Sequence, residues 1–524
     1  MKKRALVAFV AVFLLIVSTL TTGLAADKPV LQIHFHAENK HTLVDADGNL
    51  KPVFALAAER LGIEIESTAN PISQDSMGEF QIQATKKFPA DIYGGDGIRD
   101  SVLSYAAQGA FIRLNELIDE HAPNLKAYLE THPDVAQAIT GPDGSIYMIN
   151  YAQGGAVGRV YFIRQDWLDK LGYEMPTTIE ELETVLYAFR NEDPNGNGLK
   201  DEIPVFNDKV EEIYRYANLF GARVYGGDST SERIVRTPDN KFYHAWTADE
   251  FRDAIKKLNQ WYEDGILDQE AFTRKNQTAR PTVWTKDNTG GMTHEWLAST
   301  AGYNENAALL KAYPDFKVVA MLPPSYNGEP GFEEHRRALI RNDGWAISAQ
   351  CEDPVTAIKF IDWFYSEEGN NAANFGIEGE TYDLVDGKPV FREEVLKAPL
   401  GVNYYLQDNY GAVYKIGYQM NYEYERQWTN EAGQEAYDLY LNNAETVFRY
   451  PVTPVMNFTN EERAIYEKYL SNLNNYMDET VQGFITGTID IDAEWDNYVK
   501  KCNEYGAQEL VDLYQKVFDE RYAQ

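Results

Sequence analysis

The chain has 524 residues, of which 44% are hydrophobic, so it is long enough for two or more domains with sizeable cores. Asp and Glu number 81 against 48 Lys and Arg, and the formal net charge is -33. Such a charge repels nucleic acids and anionic membranes at long range, so we expect no nucleic-acid partner. It does not exclude a locally basic binding site.

The first residues predict export from the cytoplasm. The basic segment at residues 1–4 is followed by an uncharged, apolar run that ends in small residues at Ala25 and Ala26. This order is typical of a secretory signal peptide, which we predict at residues 1–26. An uncleaved membrane anchor is the alternative, but the strongly apolar part is short for a span of about 20 residues. No later segment is apolar enough to cross a bilayer.

The two cysteines add a constraint on location. Neither lies near the predicted cleavage site, so the mature protein lacks an acceptor for a lipid anchor. We therefore expect a free periplasmic protein, with secretion as the alternative. Cys351 and Cys502 either form one disulfide or remain two free thiols.

Short apolar strands alternate with helices from residue 27 onward. VLQIHFHA predicts a strand, KPVFALAAERLGIEIES a helix followed by a strand, and FPADIYGGDG a buried strand that enters a glycine-rich loop. This alternation predicts an α/β fold with helices on the faces of a sheet. Ligands of such sheets approach the loops beyond the strand ends, so Asp96 in the GGDG loop is a candidate ligand contact.

A capped amphipathic helix is predicted after residue 178. Thr177 and Thr178 are each followed three residues later by a glutamate, which is the spacing of a capping box. Its apolar residues recur at helical spacing and define the buried face: Ile179, Leu182, Leu186 and Phe189. Further helices are predicted near residues 251–267 and 353–369 and through most of the chain after residue 460.

DPNGNGLKDEIP, at residues 193–204, follows this helix and has the spacing of a calcium-binding loop. Counted from Asp193, oxygen ligands fall at positions one, three, five, seven and nine, and a glycine falls at position six, where the chain must turn sharply. Position twelve is Pro204 instead of a bidentate glutamate, and Glu202 at position ten is the substitute. The predicted calcium ligands are Asp193, Asn195, Asn197, the carbonyl of Leu199, Asp201 and Glu202.

Other interpretations of this loop remain open. It could be an Asn-Gly turn with neighbouring acids, and magnesium would prefer fewer protein ligands and more waters. A catalytic role is disfavoured because the charged groups lie on one loop and do not face each other across a cleft. We expect a structural ion that raises stability and leaves ligand affinity largely intact.

Aromatic residues in polar loops are candidate ligand contacts, because aromatic faces stack on the C–H faces of sugar rings. TGGMTHEWLAST, RNDGWAIS and YKIGYQMNYEYERQW contain such residues, and HRRALIR is a basic patch before the second of them. Packing in the core is the alternative role for each aromatic residue. The candidate contacts from these and nearby segments are Trp284, His294, Trp296, Tyr303, Arg341, Trp345 and Tyr422.

No catalytic signature is found in the sequence, and we expect a protein that is not an enzyme. THEWLAST lacks the second histidine of a zinc protease helix, and neither a nucleophile elbow nor a phosphate-binding loop occurs. A carbohydrate-active enzyme with two carboxylates across a cleft is the alternative.

Residues 162–204 resemble a hallmark segment of the extracellular solute-binding proteins of ABC sugar importers. Their sequence is FIRQDWLDKLGYEMPTTIEELETVLYAFRNEDPNGNGLKDEIP. FGIEGETYDLVDGKPVF, NYEYERQW and EERAIYEKY resemble later segments of the same family, so the resemblance covers nearly the whole mature chain. Within the family the chain is similar to the large calcium-containing alginate-binding proteins. The same calcium ligands carry over by this resemblance, and so, less securely, do Asp96, Tyr151, Trp296 and Tyr422 as sugar contacts.

The resemblance implies two α/β lobes joined by hinge strands, which close on an oligosaccharide like a flytrap. It implies a first lobe at residues 27–152 and 314–375 and a second lobe, with the calcium loop, at residues 153–313 and 376–524. It also implies a monomer that delivers its ligand to ABC permease subunits with a cytoplasmic ATPase. Acidic sugars, alginate-like or glycosaminoglycan-like, are the favoured ligands, since Arg336, Arg337 and Arg341 could supply positive charge. A neutral oligosaccharide or a peptide are the alternatives.

Overall fold

A computed structural model describes residues 28–37, 41–227, 229–274, 279–399 and 401–523. The predicted signal peptide lies outside these residues. Among the helices that the structure describes, none is long and apolar enough to cross a membrane. Within the same ranges Cys351 and Cys502 are both free thiols, which decides between the two predicted alternatives.

The strands, numbered in chain order, form two larger sheets and two hairpins. They are β1 Val30–His36, β2 Glu64–Ser67, β3 Ile92–Gly95, β4 Ile149–Ala152, β5 Arg159–Arg164, β6 Ile203–Val205, β7 Ile234–Arg236, β8 Phe242–His244, β9 Gly290–Trp296, β10 Val318–Met321, β11 Ile340–Ile347, β12 Tyr382–Val385 and β13 Lys388–Phe391.

The α-helices are likewise numbered in chain order. They are α1 Pro52–Leu61, α2 Ser76–Thr85, α3 Arg99–Ala106, α4 Asn115–His121, α5 Pro123–Thr131, α6 Pro133–Ile139, α7 Gln165–Leu171, α8 Ile179–Asn191, α9 Val210–Arg215, α10 Asp249–Glu263, α11 Leu297–Ala301, α12 Ala307–Ala312, α13 Pro354–Trp363, α14 Glu367–Phe375, α15 Glu393–Leu396, α16 Val402–Tyr410, α17 Tyr422–Trp428, α18 Glu431–Asn442, α19 Ala444–Val447, α20 Asn460–Thr486, α21 Ile491–Glu504 and α22 Ala507–Arg521.

The first lobe is built on a five-stranded sheet with the order β2-β1-β3-β11-β4. β1 pairs in parallel with β2 and β3, whereas β11 runs antiparallel to both β3 and β4. Helices cover the sheet, and the apolar residues between them, such as Ile33, Phe54 and Trp345, are fully buried. The predicted strands and helix of residues 30–95 are confirmed as β1, α1, β2 and β3.

The second lobe is built on a four-stranded sheet with the order β10-β5-β9-β6. Two apolar clusters pack against it, and the larger one also takes in α8, α10 and the three C-terminal helices. Helix α8 is preceded by its N-cap residue Thr178, whose side chain and that of Glu181 form the predicted capping box. The predicted apolar face of α8 is buried in the core.

The chain passes between the two sheets three times, and these passages are called crossings below. The first crossing is residues 153–158, from β4 to β5, and the second is residues 322–339, from β10 to β11. The third is residues 421–430, which contain α17 and lead to α18. Trp428 at the end of α17 packs against apolar residues of both lobes.

The predicted lobe boundaries differ from the packing in two places. The predicted first lobe includes residues 314–321, but β10 pairs with β5 of the second sheet. The predicted second lobe includes residues 376–424, but Tyr382 and Tyr424 belong to the apolar cluster of the first. The third crossing therefore lies near residue 425 and not near residue 375. From this packing we propose residues 28–152 and 340–424 as the first lobe.

Candidate functional site

Trp296 lies at the end of β9, beside the first crossing, where the two lobes meet. Its ring is partly exposed, and a Cβ added to Gly158 would lie 3.3 Å from it. The Arg159 guanidinium lies over the ring, 4.8 Å from its centroid, and the ring of His335 meets it edge-on at 5.2 Å. The indole is therefore held in place from the protein side while part of it remains open to solvent, as a sugar-stacking residue requires.

Arg159 belongs to a buried group of charged residues beneath Trp296. It donates to the Glu295 carboxylate at 2.8 Å, and its Nε lies 3.7 Å from Glu212. Arg280 donates to Asp208 at 2.7 Å and lies 4.0 Å from Glu295. Positive and negative groups alternate, which is the condition under which buried charges are tolerated. These ion pairs hold Arg159 and Glu295 in place beneath Trp296.

His294, one of the candidate contacts, is fully buried in this network. Its Nε2 lies 2.9 Å from Glu333 and its Nδ1 lies 3.4 Å from Glu212. Burial by itself lowers the pKa of His294, but the two carboxylates outweigh it and raise the pKa above its usual value. His294 therefore joins β9 to the second crossing and presents no surface to a ligand in this structure.

Tyr422, at the start of α17, packs against Gly155 of the first crossing. Its ring stacks on Tyr437 with centroids 4.5 Å apart, and a Cβ on Gly155 would lie 2.7 Å from it. The Arg337 guanidinium lies 5.4 Å from its centroid. The ring is only partly exposed, so it can offer an edge and its hydroxyl more readily than a free face.

Asp96, Tyr151 and Arg341 come from the first lobe. The backbone N–H of Gly97 donates to Asp343 at 2.7 Å, and the Arg341 guanidinium lies 4.0 Å from the same carboxylate. Asp96 and Arg341 are partly exposed, so both can contact a ligand. Tyr151 is only 7% exposed and packs on Tyr418, which leaves little of it for a ligand.

The structure does not support ligand contact by Trp284 or Trp345. Both are fully buried: Trp284 donates its N–H to the carbonyl of Gly290, and Trp345 packs between Phe35 and Phe360. They are core residues, although both lie near loops in the sequence. Tyr303 packs edge-on against Trp284 at 5.1 Å and keeps partial exposure.

The basic patch is largely engaged within the protein. Arg336 donates to the carbonyls of Phe448 and Tyr450, the latter at 3.2 Å. Arg337 pairs with Glu425. Arg341, the third arginine expected to supply positive charge to a ligand, is partly exposed and lies 4.0 Å from the Asp343 carboxylate.

The predicted metal loop is a compact turn on the second lobe. One carboxylate oxygen of Asp193 accepts the N–H groups of Gly196 and Asn197 at 2.9 and 3.1 Å, and the other accepts Gly198 N–H at 3.0 Å. Gly198 has φ +79°, the conformation for which a glycine was expected at position six. After the loop, β6 confirms the predicted extended segment.

Within the loop, Glu202 is the residue that fits a cation best. Glu202 is only 7% exposed, and no side chain among the described residues donates a hydrogen bond to its carboxylate. Burial and the neighbouring Asp201 and Asp193 raise its pKa. The side-chain N–H groups of Asn195 and Asn197 donate to Asp201 at 3.2 and 3.1 Å, and their amide oxygens accept the backbone N–H groups of Asn197 and Leu199. Oxygen donors around a buried carboxylate suit calcium.

No group of three or more His, Cys, Asp or Glu side chains among the described residues is close enough to hold a metal by those groups alone. The three predicted carboxylate ligands, Asp193, Asp201 and Glu202, therefore do not form such a group in this structure, and the other three predicted donors are amide or carbonyl oxygens. The donor set therefore fits a hard cation such as calcium better than zinc.

Two residues of the site were not predicted. Arg159 opens β5, within GRVYFIR, and a charged residue at the start of an otherwise buried strand is the signal that could have identified it. Glu425 lies on α17, where its pairing with an arginine far away in the sequence left no local pattern. Arg159 lies over the ring of Trp296, and Glu425 pairs with Arg337.

A model of the family of bacterial extracellular solute-binding proteins matches residues 54–379. The fructooligosaccharide ABC transporter substrate-binding protein FusA of Streptococcus pneumoniae serotype 4 is 25% identical over 500 residues, covering 91% of this chain and 88% of FusA. The polygalacturonan/rhamnogalacturonan-binding protein YtcQ of Bacillus subtilis is 22% identical over 434 residues, covering 80% of this chain and 78% of YtcQ.

Among solved structures, alginate-binding protein AlgQ2, crystallised without calcium ion, is similar with a TM-score of 0.80 and 38% identity. The match covers 94% of this chain and 98% of that one. FusA in complex with kestose matches with a TM-score of 0.72 and 22% identity, again over 94% of this chain and 99% of that one.

Proposed function

This chain belongs to the family of bacterial extracellular solute-binding proteins and acts as the receptor of an ABC importer, and from this premise we propose that it captures an acidic oligosaccharide between its lobes. The observation that supports an acidic ligand is the 38% identity with an alginate-binding protein over 94% of the chain. Binding involves no chemistry, in line with relatives that are binding proteins.

A neutral oligosaccharide is the second candidate ligand. It is favoured because two arginines of the basic patch are engaged by other groups of the protein. Arg336 and Arg337 are engaged by backbone carbonyls and by Glu425, so they contribute little charge to a ligand. A relative of similar length is described as binding fructooligosaccharides.

A thermal-shift screen distinguishes the two candidates. Wild-type protein is heated with mannuronate or guluronate oligosaccharides, with glycosaminoglycan fragments and with kestose, in calcium-containing buffer. A rise in melting temperature with the uronates alone supports the acidic ligand, because only a ligand that binds the folded state stabilises it. A rise with kestose alone contradicts the acidic ligand, and no rise with any sugar contradicts oligosaccharide binding.

We also propose the cellular setting. The protein is exported to the periplasm, acts as a monomer and delivers its ligand to permease subunits coupled to a cytoplasmic ATPase. A pull-down that finds it with membrane permease subunits, together with a monomeric mass in solution, tests these points.

The loop at residues 193–202 is proposed to hold a structural calcium ion. Asp193, Asn195, Asn197, the Leu199 carbonyl, Asp201 and Glu202 would hold it, and the ion would neutralise carboxylates that otherwise repel one another. The buried carboxylate of Glu202, to which no side chain among the described residues donates a hydrogen bond, supports this assignment. The loop lies on the second lobe and none of its residues contributes to the junction around Trp296.

Removing calcium is expected to lower stability and to leave sugar affinity largely unchanged. At a calcium concentration of a hundred times its Kd, binding stabilises the folded state by about 2.7 kcal/mol. Addition of EGTA should therefore lower the melting temperature of the wild type, as measured by calorimetry. Glu202→Gln should abolish this calcium dependence, and without calcium it should be no less stable than the wild type, because it removes a buried charge.

Asp45→Asn is a matched control for this experiment. Asp45 also accepts backbone N–H groups in a turn, from Asp47 and Asn49 at 2.9 Å each, but it lies on the first lobe. The melting temperature of the Asp45→Asn variant should depend on calcium as strongly as that of the wild type. A wild type whose melting temperature does not respond to EGTA contradicts the calcium site.

A further inference from the structure

Arg337 lies in the second crossing, and its guanidinium contacts both of the other crossings. Its Nε donates to the carbonyl of Val157 in the first crossing at 3.1 Å. A terminal nitrogen donates to the carboxylate of Glu425 in the third crossing, and the other lies 3.8 Å from Sδ of Met420. The Arg337 side chain is only 7% exposed. One buried guanidinium therefore links all three connections between the lobes.

The partners of Arg337 belong to different lobes. Val157 is part of an apolar cluster of the second lobe, whereas Met420 is part of the cluster of the first. A rotation of one lobe against the other shifts these two residues relative to each other. The hydrogen bonds of a guanidinium are directional, so such a shift must strain or break at least one of them.

The first and third crossings are packed against each other next to Arg337. A Cβ added to Gly154 would lie 2.3 Å from the carbonyl oxygen of Met420, and one added to Gly155 would meet the ring of Tyr422. Gly155 also has φ +82°, which a residue with a side chain adopts at a cost. The backbones of the first and third crossings are therefore in direct contact. A small displacement of one crossing must move the other, together with Arg337 and Tyr422.

Arg337 also holds Tyr422, a proposed ligand contact. The Arg337 guanidinium lies 5.4 Å from the ring centroid, and the ring stacks on Tyr437 of the second lobe at 23°. Glu425 lies one helical turn after Tyr422 on α17, so its pairing with Arg337 holds the same helix from which Tyr422 projects. The orientation of Tyr422 is thus tied to the hinge.

We propose that Arg337, through Glu425, is a positioning residue that sets the resting angle between the lobes and orients Tyr422 for the ligand. The proposal rests on the proposed capture of an oligosaccharide by lobe closure. Breaking a buried ion pair leaves an uncompensated charge, so lobe arrangements that keep the pair are favoured over those that break it. Arg337 influences affinity through the populations of these arrangements and not by contact with the sugar.

The test compares Arg337→Met with Arg336→Met, its neighbour in the chain. The Arg336 guanidinium donates to the carbonyls of Phe448 and Tyr450 and lies 5.0 Å from the centroid of the Phe448 ring, which packs against an apolar cluster of the second lobe. Small-angle X-ray scattering of the sugar-free proteins measures the lobe arrangement, and calorimetry with a mannuronate tetrasaccharide and with kestose measures affinity. Arg337→Met should change the radius of gyration and weaken binding at least about tenfold, as a tenfold change in the competent population does. Arg336→Met should change neither.

Arg337→Lys and Glu425→Gln test the same point if the methionine variant does not fold. Lysine keeps the charge but cannot bond to Val157 and Glu425 with a planar fork, so intermediate effects are expected. A folded Arg337 variant with the lobe arrangement of the wild type overturns the proposal: weaker binding would then mean direct contact with the sugar, and unchanged binding a purely local role. If the wild type binds neither sugar, the proposed function fails, while the scattering of the sugar-free proteins still decides the role of Arg337.

Discussion

Replacing Trp296 with alanine is expected to weaken oligosaccharide binding by about 30- to 1000-fold. Removal of a central aromatic anchor from a binding site costs about 2–4 kcal/mol, and each 1.4 kcal/mol is about a factor of ten in Kd. Trp296 meets the conditions for such an anchor, since Arg159 and His335 hold its indole while part of the ring remains exposed. Isothermal titration with the sugar identified in the thermal-shift screen measures the loss.

Two variants serve as controls for Trp296→Ala. Trp296→Phe keeps an aromatic face and should recover much of the affinity. Tyr404→Ala removes an aromatic ring that is 50% exposed on α16 of the first lobe, and it should bind like the wild type. An alanine variant that melts normally and binds with wild-type affinity would show that Trp296 does not contact the ligand.

Replacing His294 with glutamine is expected to lower the free energy of unfolding by about 3–5 kcal/mol, the usual cost of breaking a buried ion pair. The substitution leaves the Glu333 carboxylate buried, at 2% exposure, without its charged partner 2.9 Å away. Chemical denaturation at pH 6 measures the effect. Glu333→Gln in the His294→Gln background should restore part of the stability, because it removes the uncompensated charge.

The same pair predicts the direction of a pH dependence. The pKa of His294 is raised in the folded protein, so its contribution to stability is full below the unfolded value of about 6.5 and is lost as pH rises through the folded pKa. Above pH 6.5 the wild type should therefore lose stability more steeply than His294→Gln. Parallel stability curves for the two proteins in this range would contradict a charged His294 in the folded state.

Local structure was predictable where neighbouring residues carry the signal. The capping box at Thr178, the buried face of α8 and the strands of the first lobe all depend on residues a few positions apart. The lobe boundaries were not predictable in this way, because β10 and the segment from Tyr382 to Tyr424 find their sheets through contacts across hundreds of residues of chain. A strand carries no local mark of the sheet that it joins.

For the site, sequence identified the segments better than the exposed residues within them. Trp284, Trp296 and Trp345 all lie near polar loops, but Trp284 and Trp345 point into the cores while Trp296 is partly exposed. Which way a side chain at a strand end points depends on register and on the residues packed against it. The roles of Arg337 and Glu425 depend on a pairing between distant crossings, which no local pattern contains.

The position of β11 has a consequence for the order of folding. β11 lies between β3 and β4 in the first sheet, yet it is synthesised after the whole of the second sheet. A nascent chain that has emerged as far as β10 therefore holds every strand of the second sheet, while the first still lacks the strand that joins β3 to β4. Contacts of such high sequence separation slow folding, so closure of the first sheet by β11 is expected to be a late step. Chaperones or proteases that act on the unfinished chain would meet the first lobe with the β3 and β4 edges still unpaired.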